Sequence, residues 1–149
     1  MTYLHQSSAL PDPHYEAQFY AGVPLKRAIA WVLDVIAITA LTFLAGILTL
    51  TLAWWLWPLA FLTIGLVYRI GTLASGSATP GMRLMGIELR GADGEPLDGV
   101  QAALHVVGYY ATMAFFLPIL ATVATVLATQ RRQSLTDLVL GTAAINRPG

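Results

Sequence analysis

The chain has 149 residues, 56% hydrophobic and 11% charged, with a mean hydropathy of +0.66. Soluble domains carry about 25% Asp, Glu, Lys and Arg, so this composition excludes an ordinary monomeric globule. Eight basic against eight acidic residues leave no net field to attract nucleic acid, and zero cysteines exclude disulfides, thiolate metal sites and a cysteine nucleophile.

The first 18 residues read as a polar, mobile tail holding His5, Asp12, His14 and Glu16. The chain up to Val23 has neither the cationic nor the apolar region of a signal peptide. Two long stretches without formal charge follow: 34 residues at positions 35–68 and 32 at positions 99–130. A spanning helix needs about 20 apolar residues. The first stretch therefore holds two spans, expected at about 28–50 and 54–73, joined by a tight turn that Trp54, Trp55 and Trp57 mark as interfacial. Lys26 and Arg27 precede the first span, Arg69, Arg83 and Arg90 close or follow the second, and the turn has no basic residue. By the positive-inside rule the N-terminus and both outer ends are cytoplasmic.

Beyond the hairpin, Thr79-Pro80-Gly81 reads as a turn, Leu84 to Arg90 as a short strand and Asp93-Gly94 as a second turn. The third apolar segment, about 102–128, is long enough for one crossing but too short for two. A single span puts Arg131 and Arg132 outside, against the charge rule. A break near Pro118 instead gives a re-entrant hairpin with a cytoplasmic tail. Ser134 to Leu140 then reads as a short helix ended by Gly141, and Thr142 to Asn146 as a strand near the first. The expected fold class is an all-α membrane protein: a transmembrane helical hairpin, a third apolar segment, and a small cytoplasmic β element.

Asp34 breaks the local pattern. An aspartate at a helix centre costs about 2.5–3.5 kcal/mol on the insertion scale. Twelve Leu, Ile, Val and Phe residues between Ile29 and Leu50 return about 4–7 kcal/mol, so insertion survives. An intramembrane acid marks either a functional site or a polar pin between helices. Arg27 lies seven residues earlier on the same helix face, about 10 Å along the axis, which is long for direct contact. A simpler reading makes Arg27 a topology determinant snorkelling to the headgroups. Asp137 falls at the acidic position of a capping box begun by Ser134, and capping alone accounts for both. His105 and Tyr109, four apart, share a face and make either an interfacial pair or part of a proton path. Arg83 is a further candidate. No metal-ligand spacing, phosphate loop or nucleophile elbow is present, so the sequence supports neither an enzyme nor a metal or other cofactor.

The motifs together resemble one family. Phe19-Tyr20-Ala21-Gly22, Arg27-Ala28, Asp34 inside the first span, Ala78-Thr79-Pro80-Gly81-Met82-Arg83-Leu84 with Gly86-Ile87, Asp93-Gly94, and Leu135-Thr136-Asp137-Leu138 with Gly141-Thr142 look like the RDD family of bacterial membrane proteins. The likeness covers residues 19–147 as one membrane domain. It assigns the arginine and two aspartates of the family's name to Arg27, Asp34 and Asp137. It departs at Met82, where lysine is usual, and at Thr136, where histidine is common. The resemblance implies a bacterial cytoplasmic-membrane protein, with exchange of a monovalent cation for a proton proposed for some members. It also implies that Arg27, Asp34 and Asp137 form one polar cluster at the cytoplasmic side. Two functions follow: a carrier, needing a homo-oligomer to enclose its path, for which Ala30, Ala37, Ala45 and Gly46 offer close helix contact, or a non-transporting scaffold locked by the same residues.

Overall fold

The computed structural model describes residues 9–148. Helix α1, Val23–Leu48, starts after Gly22 in the left-handed region, with Pro24 in its first turn. Its 26 residues make it about 39 Å long. The short α2, Leu52–Trp55, turns the chain into α3, Trp57–Gly76, about 30 Å long. Both α1 and α3 are long and apolar enough to cross a membrane. The first starts five residues before the expected boundary. The second starts three residues late, because the turn takes Trp54 and Trp55 into its own helix.

Trp54 is not a free interfacial anchor. Its Nε1 donates to the Phe43 carbonyl at 3.1 Å, and its ring lies where a side chain on Gly46 would be. Gly46 therefore serves the internal hairpin. Ala30 is likewise covered, because its carbonyl lies against Gly81. Two of the four small residues expected at an oligomer contact are thus occupied within the chain.

The segment after α3 differs from the expected turn and strand. Thr79 caps a helix, α4, Pro80–Met85, accepting from the Met82 N–H, and Gly86 in the left-handed region ends it. A hydroxyl residue followed by proline is a helix start, which explains why the turn reading fails. Strand β1 is consequently shorter, Ile87–Arg90. It pairs antiparallel with β2, Ala143–Asn146, with Ile87 opposite Asn146 and Arg90 opposite Ala143. The Asp93-Gly94 turn forms as expected, with Gly94 at φ 79.

The third apolar segment is two helices, α5 Gly99–Met113 and α6 Phe116–Ala128, bent by 118°. Asp98 and Gln101 cap the start of α5 in a reciprocal box. The break falls at Ala114–Phe115, earlier than Pro118, for a steric reason. In one continuous helix Pro118 would lack its N–H and press its ring on the Ala114 carbonyl, whereas in the first turn of α6 neither cost arises. Both ends of the pair return to the start of α1: His105 meets Asp137, and Arg27 donates to the Arg132 carbonyl at 3.4 Å. A single straight crossing is not formed. Helix α7, Leu135–Leu140, is ended by Gly141 as expected and leads into β2.

The main core gathers at this same end, where Val23, Ala30, Leu73, Ile87, Leu89, Ala102, Val106 and Ala144 pack together. The tail is partly docked there: Leu10 packs with Tyr20, Ala143 and Ile145, and the Ala9 N–H bonds the Ala92 carbonyl at 3.0 Å. His14 is exposed on this segment, and His5 lies outside the described residues.

Candidate functional site

Asp34 sits on the buried face of α1 and is 2% exposed. A carboxylate removed from water needs donors for its lone pairs. It receives Tyr68 Oη from α3 at 2.9 Å and the Gly81 N–H from α4 at 2.9 Å on Oδ1, and Thr79 Oγ1 at 2.5 Å on Oδ2. Thr79 does two tasks, since the same oxygen accepts the Met82 N–H that starts α4. The contact requires glycine at 81, because a Cβ there would stand 2.3 Å from the Ala30 carbonyl and 2.9 Å from Asp34.

Asp137 forms a second, separate site. It is fully buried. Oδ2 accepts Arg27 Nη1 at 2.6 Å and the Ser134 N–H at 3.0 Å, while Oδ1 accepts Thr142 Oγ1 at 2.8 Å and faces His105 Nε2 at 2.8 Å. Next to an ionised carboxylate the Nε2–H tautomer of His105 donates. Burial pushes the Asp137 carboxyl upward, but the Arg27 charge and the His105 and Ser134 bonds outweigh it and hold it well below the ordinary carboxylate range. The capping box is present and is only part of Asp137's role.

The expected single cluster of Arg27, Asp34 and Asp137 therefore divides. Arg27 and Asp137 are paired, and Asp34 has its own partners. His105 joins Asp137, whereas Tyr109 turns away: its ring lies under the Arg69 guanidinium at 4.4 Å and its hydroxyl accepts Trp31 Nε1 at 2.6 Å. Their shared helix face does not make a relay. Arg83 belongs to neither site; it donates to the Ala78 carbonyl at 3.2 Å and braces the end of α3. Met82 packs against the core, and Thr136 packs against Gly108. The imidazole beside Asp137 thus comes from α5 rather than from the neighbouring position in sequence.

Sequence reasoning missed three participants. Tyr68 and Thr142 carry no local signal, and Thr79 reads in the sequence as part of a turn and not as a partner of Asp34. It also placed Arg69 among the topology-setting residues. In the structure Arg69 is buried, its Nε has no partner, and no carboxylate lies within 4 Å among the described residues. Likewise, no group of three or more His, Cys, Asp or Glu side chains able to hold a metal occurs among the described residues.

No curated protein and no solved structure gave a match. The sequence model of the RDD family matches residues 21–141, most of the chain, from just before α1 to the end of α7. This chain belongs to the RDD family.

Proposed function

We propose that the protein crosses a lipid bilayer with α1 and α3, inserts α5–α6 as a re-entrant pair, and keeps both chain ends and the β1–β2 sheet on the cytoplasmic side. Its role is that of a non-catalytic membrane scaffold whose Arg/Asp contacts are structural locks. The far halves of α1 and α3 support the membrane placement, with Phe43, Leu44, Ile47, Leu59 and Leu62 all exposed. So does the collection of Lys26, Arg27, Arg90, Arg131 and Arg132 around the opposite end.

One observation carries the lock reading: Asp34 is filled by donors from α3 and α4, so its charge ties the loop-side helix α4 to the hairpin. Asp137 does the same for α7, through α1 and α5. A second reading, exchange of a monovalent cation for a proton, is favoured by one feature. Two of the three donors to Asp34 are hydroxyls, whose oxygens become cation ligands when their protons turn away.

Purified protein in liposomes separates the two. A lock predicts no sodium- or potassium-driven pH change and a lower melting temperature for Asp34→Asn. A cation-driven pH change that disappears in a folded Asp34→Asn variant would establish exchange and remove the lock as the main role.

A further inference from the structure

A cleft of about 490 Å³ opens between the start of α1 and the end of α6. Its walls include Tyr20, Leu25, Leu127, Gln130 and Arg132, and no carboxylate lines it. Leu25 and Leu127 are 67% and 60% exposed, so one side of the cleft continues into the apolar outer surface of the helices.

The other side is cationic. Arg132 takes a left-handed backbone, φ 51, held by the bond from Arg27 to its carbonyl and by its own Nη1 on the Leu127 carbonyl at 2.5 Å. Such strain persists only where the surroundings impose it. Arg131 lies against the Tyr20 hydroxyl with its Nε buried and unpaired. Neither arginine has a carboxylate within 4 Å among the described residues. The nearby acids are taken up in their own turn: Glu16 accepts the Asp12 N–H at 3.0 Å, and Asp12 accepts the His14 N–H at 2.8 Å. The start of α1 has no side-chain cap, and Gly22, Pro24 and Leu25 bring its positive end to the cleft.

We propose that this cleft binds the headgroup of one anionic phospholipid. Arg132 and the start of α1 receive the phosphate, Arg131 adds its charge from beside the Tyr20 hydroxyl without lining the cleft, and the acyl chains run along Leu25 and Leu127. Charge selects an anionic over a zwitterionic headgroup, because the lining offers no carboxylate to an ammonium. The apolar side selects a lipid over a free phosphate.

The proposal rests on the membrane reading, and the two fail separately. Release of the chain from membranes by alkaline carbonate overturns the membrane reading. For an integral chain, the test is native mass spectrometry after solubilisation from equimolar phosphatidylglycerol and phosphatidylethanolamine. The expected result is one retained phosphatidylglycerol per chain, about 30-fold weaker in the Arg131→Gln, Arg132→Gln double variant. Equal retention of both lipids, unchanged retention in that variant, or displacement by millimolar inorganic phosphate overturns the proposal. Should the double variant not fold, wild-type melting decides: added phosphatidylglycerol raises the melting temperature and phosphatidylethanolamine does not, and equal response to both overturns it.

Discussion

Arg27 and Asp34 lie seven residues apart on α1 and make no ion pair with each other: Arg27 holds Asp137 at 2.6 Å, while Asp34 is filled by Tyr68, Thr79 and Gly81. One helix thus anchors two clamps about 10 Å apart along its axis, one gripping α4 and the other α7. Sites so separated, with no shared partner, act additively. Asp34→Asn is expected to cost about 1–3 kcal/mol and Arg27→Gln about 3 kcal/mol, the latter by leaving Asp137 buried without its cation. Denaturation in detergent should show the double variant within about 0.5 kcal/mol of the sum. A large coupling energy would restore the single cluster.

The Asp137 site predicts a pH dependence of definite sign. Its folded pKa is depressed below the unfolded value, near 3.8, so ionisation stabilises the fold at neutral pH. That contribution is present above about pH 4–5 and is lost as the pH falls further toward the folded pKa. Melting curves between pH 7 and 3 should show the gap between wild type and Asp137→Asn narrowing below pH 4. A gap that widens on acidification would reverse the assignment.

Gly81→Ala tests how closely α4 approaches α1. The added methyl would stand 2.3 Å from the Ala30 carbonyl, and backbone cannot yield as a flexible side chain does. A loss of about 2–3 kcal/mol is expected, as for overpacking elsewhere. Gly71→Ala, with open space around it, serves as the control and should be neutral or slightly stabilising.

Arg69 is a buried cation whose neighbours are the Tyr109 ring and the Tyr110 hydroxyl and not an acid. Burying a charge with no acid opposite costs more than a cation–π contact and one hydroxyl return. Arg69→Met, which keeps the length and apolar stem, is expected to stabilise the protein by about 1 kcal/mol, or roughly 2–4 °C in melting temperature. A fall in melting temperature would show that the guanidinium has a stabilising partner.

Topology is testable because the chain contains no cysteine. In intact cells an impermeant maleimide should label Leu50→Cys, at the 89% exposed turn, and spare Ala17→Cys and Pro148→Cys until the membrane is permeabilised. Labelling of Pro148→Cys without permeabilisation would make α5–α6 a full crossing.

The sequence by itself determined the elements whose signals are local. Two charge-free stretches delimited the hairpin and the third apolar segment, since a formal charge in the slab is costly wherever the chain folds. The Ser134–Asp137 spacing and Gly141 marked α7, and the strand expected at Thr142 to Asn146 matches β2 within one residue. Helix capping in Thr79-Pro80 was equally local, and reading it as a turn cost α4.

Only the tertiary structure decided which partner each acid takes. Spacing on α1 put Arg27 and Asp34 on one face, but the axial rise keeps them apart. Their actual partners are 34 to 110 residues away along the chain. Those meetings follow from α4 docking on α1 through Gly81, and from α5–α6 folding back to bring α7 and His105 to the start of α1. Hydrophobic periodicity records which face of a helix is buried. The side chain that will meet it there is set by how separate elements pack, which no spacing within one element contains.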